Sequence, residues 1–125
     1  MSTEVKAYGT ASADAPLQEI KINRRALQAH DVEFEILYCG ICHSDLHQIK
    51  NDFGGTLFPI VPGHEIVGRV TAIGDHVKNF KIGDLAAVGC IVDSCGNCEY
   101  CEDGIEQFCD EGVTFSFNSE DKISG

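Results

Sequence analysis

The sequence predicts a mainly β protein whose short antiparallel strands curl into a barrel-like sheet. Two observations lead there. Apolar residues recur with a period of two between turn residues. Thirteen glycines also break the chain into runs too short for long helices. At 125 residues the chain has room for one domain, 1–125, with a modest core.

Val5–Tyr8 reads as a first strand and Leu17–Ile22 as its partner across "GTASADAP". In "DVEFEILYCG", Val32, Phe34, Ile36 and Tyr38 alternate with Glu33 and Glu35, which predicts a half-buried strand. "HSDLHQIKN" supplies a short helix, with Ser44 or Asp45 near its start as a cap. "EIVGRVTAIG" and "DLAAVGCIV" are two more strands, punctuated by Gly68, Gly74, Gly83 and Gly89. The final "FSFNSEDKISG" stops in polar sequence without closing a further element, as a cut end would.

Charge and the N-terminus exclude some roles. A net charge of −11 argues against nucleic-acid and anionic-membrane partners by repulsion. After residue 90, Lys122 is the only base, an imbalance that usually marks a solvated surface. "MSTEVKAYG" has no basic start followed by an apolar core, and no run reaches transmembrane length. The expectation is a cytoplasmic protein with reduced thiols. Its seven cysteines then read as metal ligands or buried thiols rather than disulfides.

"CGICHSDLH", residues 39–47, contains C-x-x-C-H, the pattern that attaches c-type haem. Haem attachment needs export and usually a further ligand such as Met, and Met1 is the only methionine. The stronger signal is Cys95, Cys98, Cys101 and Cys109 in "CGNCEYCEDGIEQFC". Four thiolates on a short loop can close a tetrahedral shell around zinc, with no position left for chemistry. An iron–sulfur cluster or a disulfide pair are the competing readings. Zinc there would stiffen a lobe, about residues 90–112, too small for its own core. Four thiolates leave the ion with net negative charge, so Glu99, Glu102, Asp103 and Glu106 should face solvent.

A second candidate site lies in "PGHEIVGRVTAIGDHV", where His64 and Glu65 follow Gly63. Spacing alone leaves His64 open between a satisfied polar residue and a ligand. Paired with Cys42 it offers sulfur and nitrogen from different segments, as open catalytic zinc sites do. Cys39 and Cys90 read as buried thiols. His30 and His76 lie in polar turns and need no role.

"YCGICHSDLHQ", "PGHEIVGRV" and "GCIVDSCGNCEYCEDG", in this order, resemble zinc-dependent medium-chain alcohol dehydrogenases, most closely the cinnamyl-alcohol-dehydrogenase-like branch. The resemblance implies a GroES-like, partly open β-barrel catalytic domain, usually followed by a Rossmann domain that binds NADP or NAD. It implies that Cys42 and His64 are catalytic zinc ligands, with Glu65 the neighbouring carboxylate and Asp45 the acceptor that orients His64. Ser44 and His47 would carry the proton to solvent, and His43 would face the cofactor's phosphates. Cys95, Cys98, Cys101 and Cys109 match the structural zinc shell. The reaction implied interconverts primary alcohols and aldehydes: zinc favours the alkoxide, and hydride passes to the nicotinamide. A homodimer is the family's usual assembly.

Two features of the family are missing. Its third protein ligand, a cysteine well beyond the four-cysteine lobe, has no match. No G-x-G-x-x-G occurs, since no two glycines stand two apart. The expectation is therefore the catalytic-domain portion of such an enzyme, unable to transfer hydride alone. The alternative is a free-standing, non-catalytic zinc-binding barrel. Ser44, Asp45, His47, His64 and Glu65 together favour the enzyme, because a binding module needs none of them.

Overall fold

A computed structural model describes residues 2–124. It is mainly β, with three small antiparallel sheets that leave a barrel partly open. Strands β1 (Thr3–Gly9) and β2 (Gln18–Arg24) form a hairpin in which Val5 faces Ile22 and Ala7 faces Ile20. Lys6–Glu19 and Lys21–Glu4 cross it on the outer face, at 3.2 and 2.7 Å. These pairs are more than half exposed, so they contribute little beyond register.

The central sheet has the order β3 (Val32–Cys39), β4 (Ile66–Ile73), β5 (Leu85–Val88). Val70 of β4, opposite Phe34, is only 1% exposed. A Cβ on Gly68 would run into the Phe34 ring, so the glycine lets that ring lie across β4. The predicted alternation in β3 holds only for its first half. Ile36 and Tyr38 are 58% and 74% exposed, and the pairing shifts register between them. Both side chains are left exposed rather than packed.

"DLAAVGCIV" is not one strand. It breaks at Gly89 and Cys90, and Ile91–Asp93 (β6) leaves the central sheet to pair with β7, Thr114–Phe115. Between β6 and β7 lies the cysteine lobe, with helix α2 (Glu99–Glu102) and a 3-10 turn at Glu106–Phe108 that periodicity did not signal. Runs of three or four residues are too short to show a helical period.

The C-terminal stretch is also better tied than its composition suggests. Asn118 accepts from the Leu57 N–H at 2.7 Å, and Asp121 accepts from Arg25 Nε at 2.6 Å. Among the described residues the buried apolar core is only Ile60, Val70 and Cys109. Ile60 is joined to the end of β1 by paired backbone bonds with the buried Thr10.

Candidate metal centres

Helix α1 (His43–Ile49) begins four residues after the last residue of β3, Cys39, and it carries most of the candidate site. Its N-cap is Cys42, with extended backbone, rather than Ser44 or Asp45. Asp45, three residues on, reaches back and accepts the Cys42 N–H at 2.9 Å. That bond satisfies a donor the helix would otherwise leave unpaired. It also fixes where the Cys42 side chain departs from the chain.

The other wall comes from the loop entering β4. Gly63 has φ of +120°, a conformation costly for any residue with a side chain, and a Cβ there would lie 2.8 Å from Cys39 Sγ. This turn delivers His64, 6% exposed, beside the helix. Gly40 N–H donates to the Glu65 carbonyl at 2.8 Å. A Cβ on Gly40 would occupy the place of the Glu65 carboxylate, so the glycine makes room for that group.

The result is a three-residue cluster. Ligand atoms of Cys42, His64 and Glu65 all lie within 4.8 Å of one another. His64 Nδ1 stands 3.1 Å from Asp45 Oδ1, both side chains buried, in a direction off the ideal hydrogen-bond line. Among the described residues neither atom has another partner, so on the Nδ1 side Asp45 is what can orient the ring. The other nitrogen, Nε2, lies 3.5 Å from Ser44 Oγ. Ser44 donates to Cys42 Sγ at 3.0 Å. That bond, then the Ser44 N–H and His64, hold the Cys42 thiol below its ordinary range. A soft thiolate, an imidazole with a carboxylate behind it and an exposed carboxylate are a donor set that fits zinc and leaves it accessible.

The remaining site residues lie along the same helix. His43 is exposed and its ring lies 4.7 Å from that of His47. His47 Nδ1 is 2.8 Å from Asp52 Oδ2, a carboxylate just beyond the helix that sequence reasoning missed. The five-residue separation crosses the helix end, where helical spacing no longer indicates which groups meet. Among the described residues no hydrogen bond joins Ser44 directly to His47.

The second cluster is closed. Sulfurs of Cys95, Cys98, Cys101 and Cys109 all lie within 4.8 Å of one another, with Cys109 buried. Cys95 N–H points at Cys109 Sγ at 3.4 Å, and Ser94 Oγ lies 3.4 Å from Cys101 Sγ. The Cys95 N–H holds the Cys109 thiol down. Cys95 itself is relieved by the Asn97 N–H, yet desolvation and the neighbouring sulfurs push it up to about 11. Sulfurs that crowd one another without all ionising are what a bound cation would relieve. Glu99, Glu102, Asp103 and Glu106 all face solvent, as expected.

Two other cysteines differ from expectation. Cys39 and Cys90 are exposed rather than buried. Cys90 lines an open recess with Tyr38, His64, Glu65 and Val67. No described helix is long and apolar enough to cross a membrane.

Comparison with known proteins gives the same picture. The family model described as alcohol dehydrogenase GroES-like domain matches residues 28–123. Aldehyde reductase YahK of Escherichia coli is 55% identical over 93% of the chain, and cinnamyl alcohol dehydrogenase 2 of Rauvolfia serpentina is 55% identical over 84%. The chain spans about a third of the length of these relatives, 33% and 30%. Among solved structures, that of CAD from Helicobacter pylori complexed with NADP(H) superposes with a TM-score of 0.94 at 39% identity. It covers 98% of this chain and 35% of its own.

Proposed function

Because this chain belongs to the alcohol dehydrogenase GroES-like domain family, we propose that it is the catalytic-domain portion of a zinc-dependent, NAD(P)-linked dehydrogenase interconverting primary alcohols and aldehydes. The observation that carries this is the coexistence of two different ligand sets. The four-thiol set is complete and suits a structural ion. The Cys42–His64–Glu65 set is mixed and open, with proton-carrying groups beside it. A purely structural barrel has use for the first set but not for the second.

In this reading the domain is the whole of 1–125, and the lobe is residues 90–112. Cys42 and His64 would hold a zinc ion, whose Lewis acidity would make an alcohol proton acidic near neutral pH. The chain's own residues then do the rest. Asp45 holds the His64 ring, 3.1 Å away, so that its other nitrogen faces Cys42. Ser44 Oγ, close to both Cys42 and His64, is a hydroxyl placed to take a substrate proton. Asp52 binds one side of His47 and leaves the opposite ring nitrogen free to pass a proton outward. The gap between Ser44 and His47 calls for a bridging hydroxyl or water. His43, exposed next to His47, suits a contact with a cofactor phosphate.

NADP or NAD would be held chiefly by sequence outside this domain, and substrate selection rests partly there. A homodimer and a cytoplasmic setting fit the seven unpaired thiols and the family resemblance. Metal stoichiometry tests the reading. Native mass spectrometry beside elemental analysis should show a tightly held zinc that survives Cys42→Ser, and a second, weaker zinc that Cys42→Ser or His64→Ala removes. Iron, haem or a metal-free folded chain would sink it.

A further inference from the structure

Outside the two clusters, His30 and His76 come together from turns that are 46 residues apart in sequence. His76 Nδ1 lies 3.1 Å from His30 Nε2, and the rings meet edge to face with centroids 4.8 Å apart. The backbone holds both turns in place. His76 N–H donates to the Ala29 carbonyl at 2.8 Å, and Gly74 N–H to the Asp31 carbonyl at 2.8 Å. A Cβ on Gly74 would collide with the Gln28 and Ala29 carbonyls, so the approach depends on that glycine. The rings themselves are exposed, and they border an open recess of about 440 Å³ lined also by Val32, Val77, Asn79 and Phe80.

We propose that His30 and His76 form a two-imidazole site for a first-row divalent transition cation, separate from the cysteine-containing clusters. Two imidazole nitrogens bound to one ion at about 2.0–2.1 Å stand roughly 2.9–3.4 Å apart for angles between square and tetrahedral. The observed separation of 3.1 Å falls inside that range, and turning each ring by roughly 40° from the N···N line aims both lone pairs at one ion. In the free pair one ring donates its proton to the other. On binding, that ring carries its proton on its far nitrogen instead, so a neutral pair gains the ion with no net loss of protons. Imidazole nitrogens select nickel, copper and zinc over magnesium or calcium. Water and the open recess leave room for the remaining ligands. The net charge of −11 draws cations, while Lys78 at the recess is a long, exposed chain free to swing away.

The test uses protein loaded with zinc to fill the cysteine-containing sites, desalted, and titrated with Ni2+ while amide NMR signals are followed. Paramagnetic broadening should saturate and centre on residues 29–31 and 74–78. It should be lost there in both His30→Gln and His76→Gln, with the spectra otherwise unchanged. Should one variant misfold, the other alone decides. Broadening that is absent, centred on residues 42–47 and 64–65, or unchanged in either folded variant overturns the proposal.

Discussion

Asp45 shows how much a single buried side chain can carry. It closes the N-terminus of α1 through Cys42 and, among the described residues, is the one partner available to His64 Nδ1. Asp45→Ala is expected to cost about 1–3 kcal/mol of stability, from a lost cap and an orphaned buried donor. It should also weaken metal binding at Cys42 and His64 by about 10–100-fold. Urea unfolding and zinc competition measure the two effects separately. Gly40→Ala probes the same pocket from the other side, because its Cβ would displace the Glu65 carboxylate. The expected result in native mass spectrometry is loss of the second zinc with the four-thiol zinc retained. If both zincs persist unchanged, Glu65 has no part in the site.

Among the elements, the cysteine lobe and the Arg25 junction are the parts whose stability depends on conditions. The lobe has one buried residue of its own core, Cys109, and helix α2 is a single turn. Such segments do not hold together by packing. A zinc chelator should therefore open residues 93–115, read as a loss of amide-exchange protection there, while β3 and β4 stay protected. At the other junction Arg25 binds Asp31 and Asp121, tying the C-terminal stretch to the end of β2. The Arg25 guanidinium holds the Asp31 carboxyl below its usual range. Asp121 is held down by the Ser124 hydroxyl first and by Arg25 as well. Depressed carboxyls favour the folded state above the ordinary carboxylate pKa of about 3.9. That contribution disappears as pH falls from there through their folded-state values. Unfolding midpoints should thus drop on acidification below about pH 4, and less steeply in Asp31→Asn than in the parent.

Taken whole, the molecule has a thin core and leaves several large apolar side chains of the central sheet uncovered. Ile36, Tyr38, Val67 and Leu85 are between 38% and 74% exposed on the central sheet. A surface of this kind is seldom left to water. The domain by itself is expected to bind an apolar dye and to self-associate weakly. A monodisperse monomer that leaves the dye dark would count against this.

The sequence by itself determined the strand-rich class, the β1–β2 pairing and the four-thiol candidate set. These follow from local rules: a two-residue period, turn-forming glycines and the spacing of thiols along one loop. The resemblance to the dehydrogenases supplied roles for Cys42, His64 and their neighbours that spacing alone left open. Only the tertiary structure decided that "DLAAVGCIV" divides between two sheets, that Cys39 and Cys90 are exposed, and that Ile36 and Tyr38 face outward. It alone brought Asp52 to His47 and His30 to His76. Each of these depends on which segment of chain lies alongside another, and apolar patterning records how a residue should be buried without recording what will cover it.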